Sequence, residues 1–449
     1  MKRELEHNLT TGSIGKSLVV FSLPMILGNL IQQLYNVADT LIVGKKIGPT
    51  ALSAVGSSYA LMVLLTSIVL GLCMGSGVVF AQLYGAKKLE AMKISVFNAF
   101  VFVAMSSLII NLLSYVLLEQ FIIWLNIPKQ AVEMTRQYLT IILGGMFFVT
   151  IYNFIAAIFR SIGNTIMPLI FLGVAALTNI ALDIVFVIFL NMGVAGAAWA
   201  TFIAQALSAL CISIYFLMKA RYLCPNRRHM YLERSIMRSV IDYSALTAIQ
   251  QSIMNFGILM VQGLVNSFGF YASAAFAVVV KIDAFAYMPA QDFGNAFATY
   301  VAQNYGAERF DRIKKGVLAT LKISASFCLM SSLIVVVFAR EFMLIFVQPE
   351  QTQIIEIGVD YLRIVGASYI GIGVLFLLYG LYRGLGKTQM SIVLTIISLG
   401  SRVALAYLLS SFPGIGMAGI WVAVPIGWML ADAFGIWHYR KYAQEMLRI

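Results

Sequence analysis

The chain has 449 residues, 61% of them hydrophobic and only 11% charged, with a mean hydropathy of +0.89. No water-soluble domain can expose that much apolar side chain, so integration into a membrane is the one consistent class. The formal net charge of +12 reads as an orientation signal with affinity for anionic membrane lipid, and it leaves nucleic-acid binding unneeded.

The first apolar run, near residues 16–43, is too long for a cleavable leader and lacks an A-x-A-like exit, so it is expected to stay as the first spanning helix. It contains Pro24, whose missing amide hydrogen permits a kink, and Asp39 follows in the same helix. Further runs lie near 53–83, 94–117, 132–160, 167–190 and 194–218, then near 240–266, 272–304, 311–338, 353–382, 389–411 and 415–440. A span needs roughly 20 apolar residues, so twelve helices are expected. Continuous runs of this kind are not the alternating strands of a membrane barrel, and only a helix satisfies its own backbone in lipid. The expected class is an all-α integral membrane protein.

Of the 31 Lys and Arg, 22 fall at the termini and in the even-numbered loops, against six in the odd-numbered ones. By the positive-inside rule this predicts a multi-pass protein of the cytoplasmic membrane with both termini cytoplasmic. Cys73, Cys211, Cys224 and Cys328 show no metal-ligand or redox spacing and read as ordinary thiols. The sequon Asn8-Leu9-Thr10 falls on the predicted cytoplasmic side, where it should not be glycosylated.

Two halves of the chain resemble each other. AQLYGAKKLEAMKISV from Ala81 returns as AQNYGAERFDRIKKGV from Ala302, and Pro128 as Pro349, both at an offset of 221. RSIGNT at Arg160 returns as RGLGKT at Arg383, and GVAG at Gly193 as GMAG at Gly416, at an offset of 223. Matches in register predict a duplicated six-helix unit: an amino-terminal bundle over 1–218, a basic cytoplasmic linker over 219–238 and a carboxyl-terminal bundle over 239–449. Six is even, so both bundles enter from the same side and the pseudo-twofold axis runs along the membrane normal, as in parallel-repeat secondary transporters. The linker is expected to lie on the inner leaflet.

An ionisable side chain inside a spanning helix is costly and marks function by default. Here these are Asp39, Asp183, Lys281, Asp283, Asp292 and Arg402, with Asp432 nearer a helix end. Asn179 and Asp183 pair across the repeat with Arg402 and Ala406, and Asp39 pairs with Met260 or Gly257, so the acids of the first half have no acidic twin. Asn179 and Asp183 share a helix face, and Thr201 and Gln205 repeat that spacing on the next helix. With Asp39 facing them, Asn36 one turn before it and Asn153 as a fourth wall, the site offers two carboxylates ringed by neutral oxygens and amides. Two such carboxylates in a low dielectric need a proton or a hard cation such as sodium, which Asp39 and Asp183 would ligate. Pro24 is read as the hinge of this half. Gln33, Tyr35, Gln205, Gln251, Asp292 and Arg402 are candidates for lining a substrate cavity, although a structural pair among Lys281, Asp283, Asp292 and Arg402 is the plainer reading of those charges. The 30 Phe, 21 Tyr and 22 Met suit an adaptable surface for flat cations, while most of them pack or face lipid.

NVADTLIVGKKIGPTALSAVG in the first helix, AQLYGA closing the second and FRSIGNT ending the fourth together resemble the multidrug and toxic compound extrusion (MATE) family over essentially the whole chain. The resemblance implies a V-shaped fold of two bundles, and export of cationic or polyaromatic compounds by antiport with sodium or protons. No other cofactor is implied, and the chain is expected to act as a monomer. Pro24, Asp39, Asn153, Asn179, Asp183 and Thr201 fall where the DinF-like and archaeal branch keeps its ion site. The NorM-like branch adds a glutamate in the seventh helix, whereas no Asp or Glu occurs here between Tyr243 and Ile282, which favours the DinF-like reading. A lipid-linked-precursor flippase or metabolite exporter of the same superfamily is the nearest alternative. An integral-membrane enzyme is remote, since there is no HExxH, GxSxG or DDxxD and the only histidines are His7, His229 and His438.

Overall fold

The computed structural model describes residues 8–124 and 127–446. Lys2, Arg3 and Arg448, counted above among the basic residues at the termini, lie outside the described residues, as does His7. The regular elements among the described residues are all helical. The amino-terminal series runs α1 (Ile14–Lys46), α2 (Pro49–Gly85), α3 (Leu89–Val116), α4 (Leu118–Trp124), α5 (Val132–Ser161), α6 (Ile166–Asp183) and α7 (Gly193–Lys219). After the linker come α8 (Arg234–Asn266), α9 (Phe270–Gly306), α10 (Phe310–Val337), α11 (Ala339–Phe346), α12 (Thr352–Gly366), α13 (Tyr369–Gly384), α14 (Thr388–Ser410) and α15 (Ala418–Met446).

Eleven helices among the described residues are long and apolar enough to cross a membrane, and α12 with α13 makes one further span broken by a 52° bend. The sequence run near 353–382 reads as continuous because no proline marks the break at Ala367 and Ser368. The bend is held from outside the run. Asp283 of α9 accepts a hydrogen bond from Tyr361 Oη on α12 at 2.5 Å, and its other oxygen accepts one from Tyr369 Oη on α13. One carboxylate therefore ties both limbs of the broken span.

The backbone repeats more closely than the side chains. Left-handed residues recur at Gly48 and Gly269, Lys87 and Glu308, Gly163 and Gly386, and Gly193 and Gly416. These are the offsets at which the sequence motifs recur. Gly48 (φ 110°) and Gly269 (φ 100°) need that freedom, because a Cβ disfavours such angles. The short helices α4 and α11 are also twins in position. Arg136 pairs with Glu119 of α4 at 2.7 Å and with Glu133. The guanidinium holds the Glu119 carboxyl below the usual carboxylate range.

The chain divides into two compact units whose edges do not follow covalent order. One comprises Leu23–Ala248, and the other comprises Asn8–Ser22 with the chain from Ile249 onward. In the first unit, α2 meets the start of α8 backbone to backbone. A Cβ on Gly71 would lie 2.4 Å from Ala248 Cα, one on Gly75 would lie 2.3 Å from the Tyr243 carbonyl oxygen, and Ser76 bonds Ser244 at 2.9 Å. This is small-residue packing, the device by which helices approach in lipid without a hydrophobic driving force. In the second unit, glycines do the same between α9 and α13. A Cβ on Gly380 would lie 2.3 Å from Gly294 O, and one on Gly384 would lie 2.6 Å from Ala298 O. The segment before α1 is fastened within that unit: Gln303 Oε1 accepts from Leu9 N (3.2 Å), and Arg312 donates to the carbonyls of Leu9, Thr11 and Gly12 (3.2, 3.1 and 3.0 Å).

Linker residues also have defined partners in the first unit. Asn98 of α3 donates to Tyr231 O at 2.9 Å and accepts from Glu233 N at 3.1 Å, while His229 meets Glu90 at 2.6 Å.

Candidate functional site: a buried carboxylate pair

In the amino-terminal unit the structure gathers Asp39 from α1, Asn179 and Asp183 from α6, and Thr201 from α7. Asp39 is 9% exposed, Asn179 2% and Asp183 0%. The hydrogen-bond network assigns the Asn179 amide with its nitrogen toward Asp183 Oδ2 at 3.2 Å. Its oxygen then accepts from Thr201 Oγ1 at 3.2 Å and Thr201 N at 3.3 Å. Asn179 thus bridges the carboxylate of its own helix to the hydroxyl of the next. Asp39 Oδ1 and Asp183 Oδ1 are enclosed, and neither has a hydrogen-bond partner among the described residues. Asp39 and Asp183 act on each other electrostatically, and both act on the Tyr138 ring of α5. Tyr35 lies within the same reach of Asp39 and bonds Gln32.

Local backbone explains how Asp183 is aimed. It is the last residue of α6, and the next six residues, Ile184–Phe189, form a π-helical turn. Such widened turns leave main-chain groups and the preceding side chains in positions a regular helix would cover, and they recur at functional sites. The far side is closed by apolar packing. Val43 is four residues beyond Asp39, Val187 four beyond Asp183 and Ala197 four before Thr201, about one turn in each case; all three join one buried cluster with Ala51, Val55, Tyr138 and Ile142. The carboxylates are therefore sealed toward the Lys46 end of α1.

The remaining candidates have other engagements. Asn36, one turn before Asp39, approaches Gln33 Oε1 only at 3.5 Å, and its carbonyl accepts from Thr40 at 2.8 Å. Asn153 donates to Val149 O of its own helix at 2.9 Å. Gln205 Oε1 is enclosed without a hydrogen-bond partner, and it occupies the space above Gly145, where a Cβ would come within 2.6 Å of it. Pro24 sits in the interior of α1, beside the Ser22/Leu23 boundary at which the helix passes from one compact unit to the other. Tyr138 was not singled out by sequence; among 21 tyrosines nothing local distinguishes it.

In the carboxyl-terminal unit the charges are distributed differently. Asp283 is engaged with the two tyrosines, and no ion pair joins it to Lys281, whose side chain is exposed. Asp292 is 4% exposed, and Gln251 lies on α8. Arg402 on α14 has an enclosed, unbonded Nε. Arg383, the last Arg of α13, is buried and donates to Asn295 at 3.1 Å, although its place at a helix end made it look like a loop residue. Asp432 is buried with Oδ1 unpartnered. Among the described residues no group of three or more His, Cys, Asp or Glu could hold a metal ion by itself, so any cation at Asp39 and Asp183 would rely on neutral oxygens for the rest of its shell.

Fold and site together define a multi-pass membrane transporter built from a duplicated helical unit. The family model MatE matches residues 24–185 and 245–408, and the chain belongs to that family. It is a transporter and not an enzyme. It is 27% identical over 438 residues to the probable multidrug resistance protein YpnP of Bacillus subtilis, covering 97% of this chain and 96% of that protein. It is 25% identical over 421 residues to the probable multidrug resistance protein YoeA of the same organism, covering 92% and 90%. Among solved structures, a MOP superfamily transporter from Pyrococcus furiosus superposes with a TM-score of 0.92 at 23% identity over 98% of both chains. An outward-facing multidrug resistance MATE transporter superposes with a TM-score of 0.91 at 22% identity, again over 98% of both. At these identities the structures establish a common fold.

Proposed function

We propose that the protein exports cationic or polyaromatic compounds by antiport against protons or sodium, with coupling at Asp39 and Asp183. The observation that carries this reading is the pair of enclosed carboxylates, each with an unpartnered Oδ1, in electrostatic contact and with no cationic side chain among the described residues bonded to either. Two negative charges in such a place require a compensating positive one, and its arrival or departure changes the energy of α1 against α6. The same oxygens accept a proton or a sodium ion, with Asn179 and Thr201 as neutral ligands. Asn36, Asn153 and Gln205 support the site, and Pro24 is the hinge through which α1 responds. Gln33, Tyr35, Gln251, Asp292 and Arg402 are the residues offered to cargo. YpnP and YoeA are probable multidrug resistance proteins, which agrees with a drug-export role. In this reading the protein lies in the cytoplasmic membrane with both termini inside and acts as a monomer, and its sequence repeats are the bundles 1–218 and 239–449 joined by the basic linker 219–238, as distinct from the compact units into which the chain packs.

The test is ethidium efflux into everted vesicles under separately imposed proton and sodium gradients, for wild type and Asp39→Asn. The variant is expected to lose gradient-driven transport of either kind while still inserting in the membrane. Undiminished coupled efflux by Asp39→Asn would overturn the proposal, and wild-type transport under only one gradient identifies the ion.

A further inference from the structure

The two units can be compared residue by residue at the position of the carboxylate pair. At the offset of 223, Asn179 corresponds to Arg402, Asp183 to Ala406, and Tyr138, in the sequence YLTI, to Tyr361 in YLRI. The aromatic wall has been kept, both acids of the first unit have no acidic counterpart, and a guanidinium stands where the bridging amide was.

The surroundings of Arg402 leave that guanidinium without an acceptor. It lies within electrostatic reach of Asp283, Tyr361 and Tyr287. Each oxygen of Asp283 accepts one hydrogen bond, from Tyr361 or Tyr369, in holding the bent span, and none of the ion pairs among the described residues includes Arg402. Its Nε is enclosed without a partner, while the residue as a whole is only partly buried. Among the described residues no hydrogen bond takes up the N–H donors of this permanent charge. Aromatic faces stand around the same place. Tyr361 meets Trp421 edge to face at 4.9 Å, Phe276 stacks on Trp421 at 5.7 Å, and Tyr287 packs on Phe376 at 5.0 Å.

We propose that Arg402 is the recognition centre of a second binding site, wholly within the carboxyl-terminal unit, that takes the carboxylate of a flat aromatic solute. A planar guanidinium with free parallel N–H groups matches a carboxylate in two-point geometry. Asp283 stays bonded to the two tyrosines at the bend, so the incoming carboxylate meets N–H donors that no side chain among the described residues occupies. An organic cation without an acceptor group gains no hydrogen bond from Arg402. The twin site thus offers unbonded donors where the first unit offers unbonded acceptors, and a solute bearing both a carboxylate and an aromatic part is the class it selects.

The site is tested without any gradient, so the outcome does not depend on the coupling reading. The full chain in phosphatidylcholine nanodiscs is titrated calorimetrically with 1-naphthoate and, separately, with 1-naphthylmethylammonium. Wild type is expected to bind the naphthoate. Arg402→Gln is expected to weaken it at least about tenfold, the usual scale for hydrogen bonds to a charged group, and not to weaken the ammonium compound. Arg402→Lys, which keeps the charge and loses the fork, should recover part of the affinity and so separates recognition from misfolding. No naphthoate binding by wild type, or equal binding by wild type and Arg402→Gln, sinks the proposal. If phosphatidylglycerol in the nanodisc displaces the naphthoate, the occupant is a lipid phosphate and the solute assignment is wrong.

Discussion

Asn179 and Arg402 stand at the same place in two copies of one helical unit, yet their neighbours give them opposite tasks. Asn179 lies between Asp183 and Thr201 and completes a hydrogen-bonded group that is short of positive charge. Arg402 lies beside a carboxylate that holds two tyrosine hydroxyls, and among the described residues its own N–H donors are short of an acceptor. Duplication has preserved the glycines with left-handed backbone and the aromatic pair Tyr138 and Tyr361, because these hold the scaffold. The polar residues that the scaffold presents were free to diverge. A duplicated fold therefore licenses no transfer of function from one unit to the other, and each polar cluster must be read from its own acceptors and donors.

The sharpest way to break this comparison is to make the amino-terminal site resemble its twin. Asn179→Arg is expected to abolish gradient-coupled ethidium efflux, because a fixed guanidinium permanently neutralises one of the two carboxylates and occupies the place in which a proton or sodium would compensate the pair. Coupled efflux near wild-type rate in that variant would show that the pair is not the coupling centre. Thr201→Val should act more mildly. It removes one neutral ligand and leaves both carboxylates, so the concentration of coupling ion needed for half-maximal efflux should rise several-fold while the maximal rate persists; a collapse of the maximal rate would mean that Thr201 does more than ligate.

Smaller effects test the scaffold. Gly380→Ala forces a methyl group toward Gly294 O, and it should destabilise the carboxyl-terminal unit by about 1–3 kcal/mol, the usual scale of overpacking. A thermal melt in detergent reads this, and an unchanged midpoint would mean that α9 and α13 do not pack as closely as described. Tyr369→Phe withdraws one of the two hydroxyls from Asp283 and should cost about 1–3 kcal/mol, as expected when a charged buried group loses a donor. Arg136→Ala, at the exposed pair with Glu119, should leave the melting temperature unchanged within error, and a clear loss there would assign the loop a structural weight that its exposure does not predict.

Legibility differed between the two sites for a physical reason. Asp39, Asn179 and Asp183 could be picked out because charge inside an apolar helix is conspicuous and the four-residue spacing of the last two places them on one face. Asp283 was equally conspicuous, but its partners lie 78 and 86 residues away on either side of a bend that carries no proline, so no local pattern discloses them. Arg383 looked like a loop residue because helix ends resemble loops in composition, and only packing buries it. Tyr138 is a further example: a single tyrosine among many becomes notable only when two carboxylates are seen to act on it.

The sequence by itself determined the membrane class, the helical architecture, the duplicated unit and the acidic asymmetry between its copies, because hydropathy, motif spacing and buried charge are one-dimensional properties of the chain. Tertiary structure alone decided that Asn8–Ser22 packs with the second unit, that Asp283 is spent on a hinge, and that Arg402 is left with donors and no acceptor. Each of those depends on which groups meet across helices far apart in the chain, and hydrogen-bond saturation is a property of the meeting, not of any residue in it.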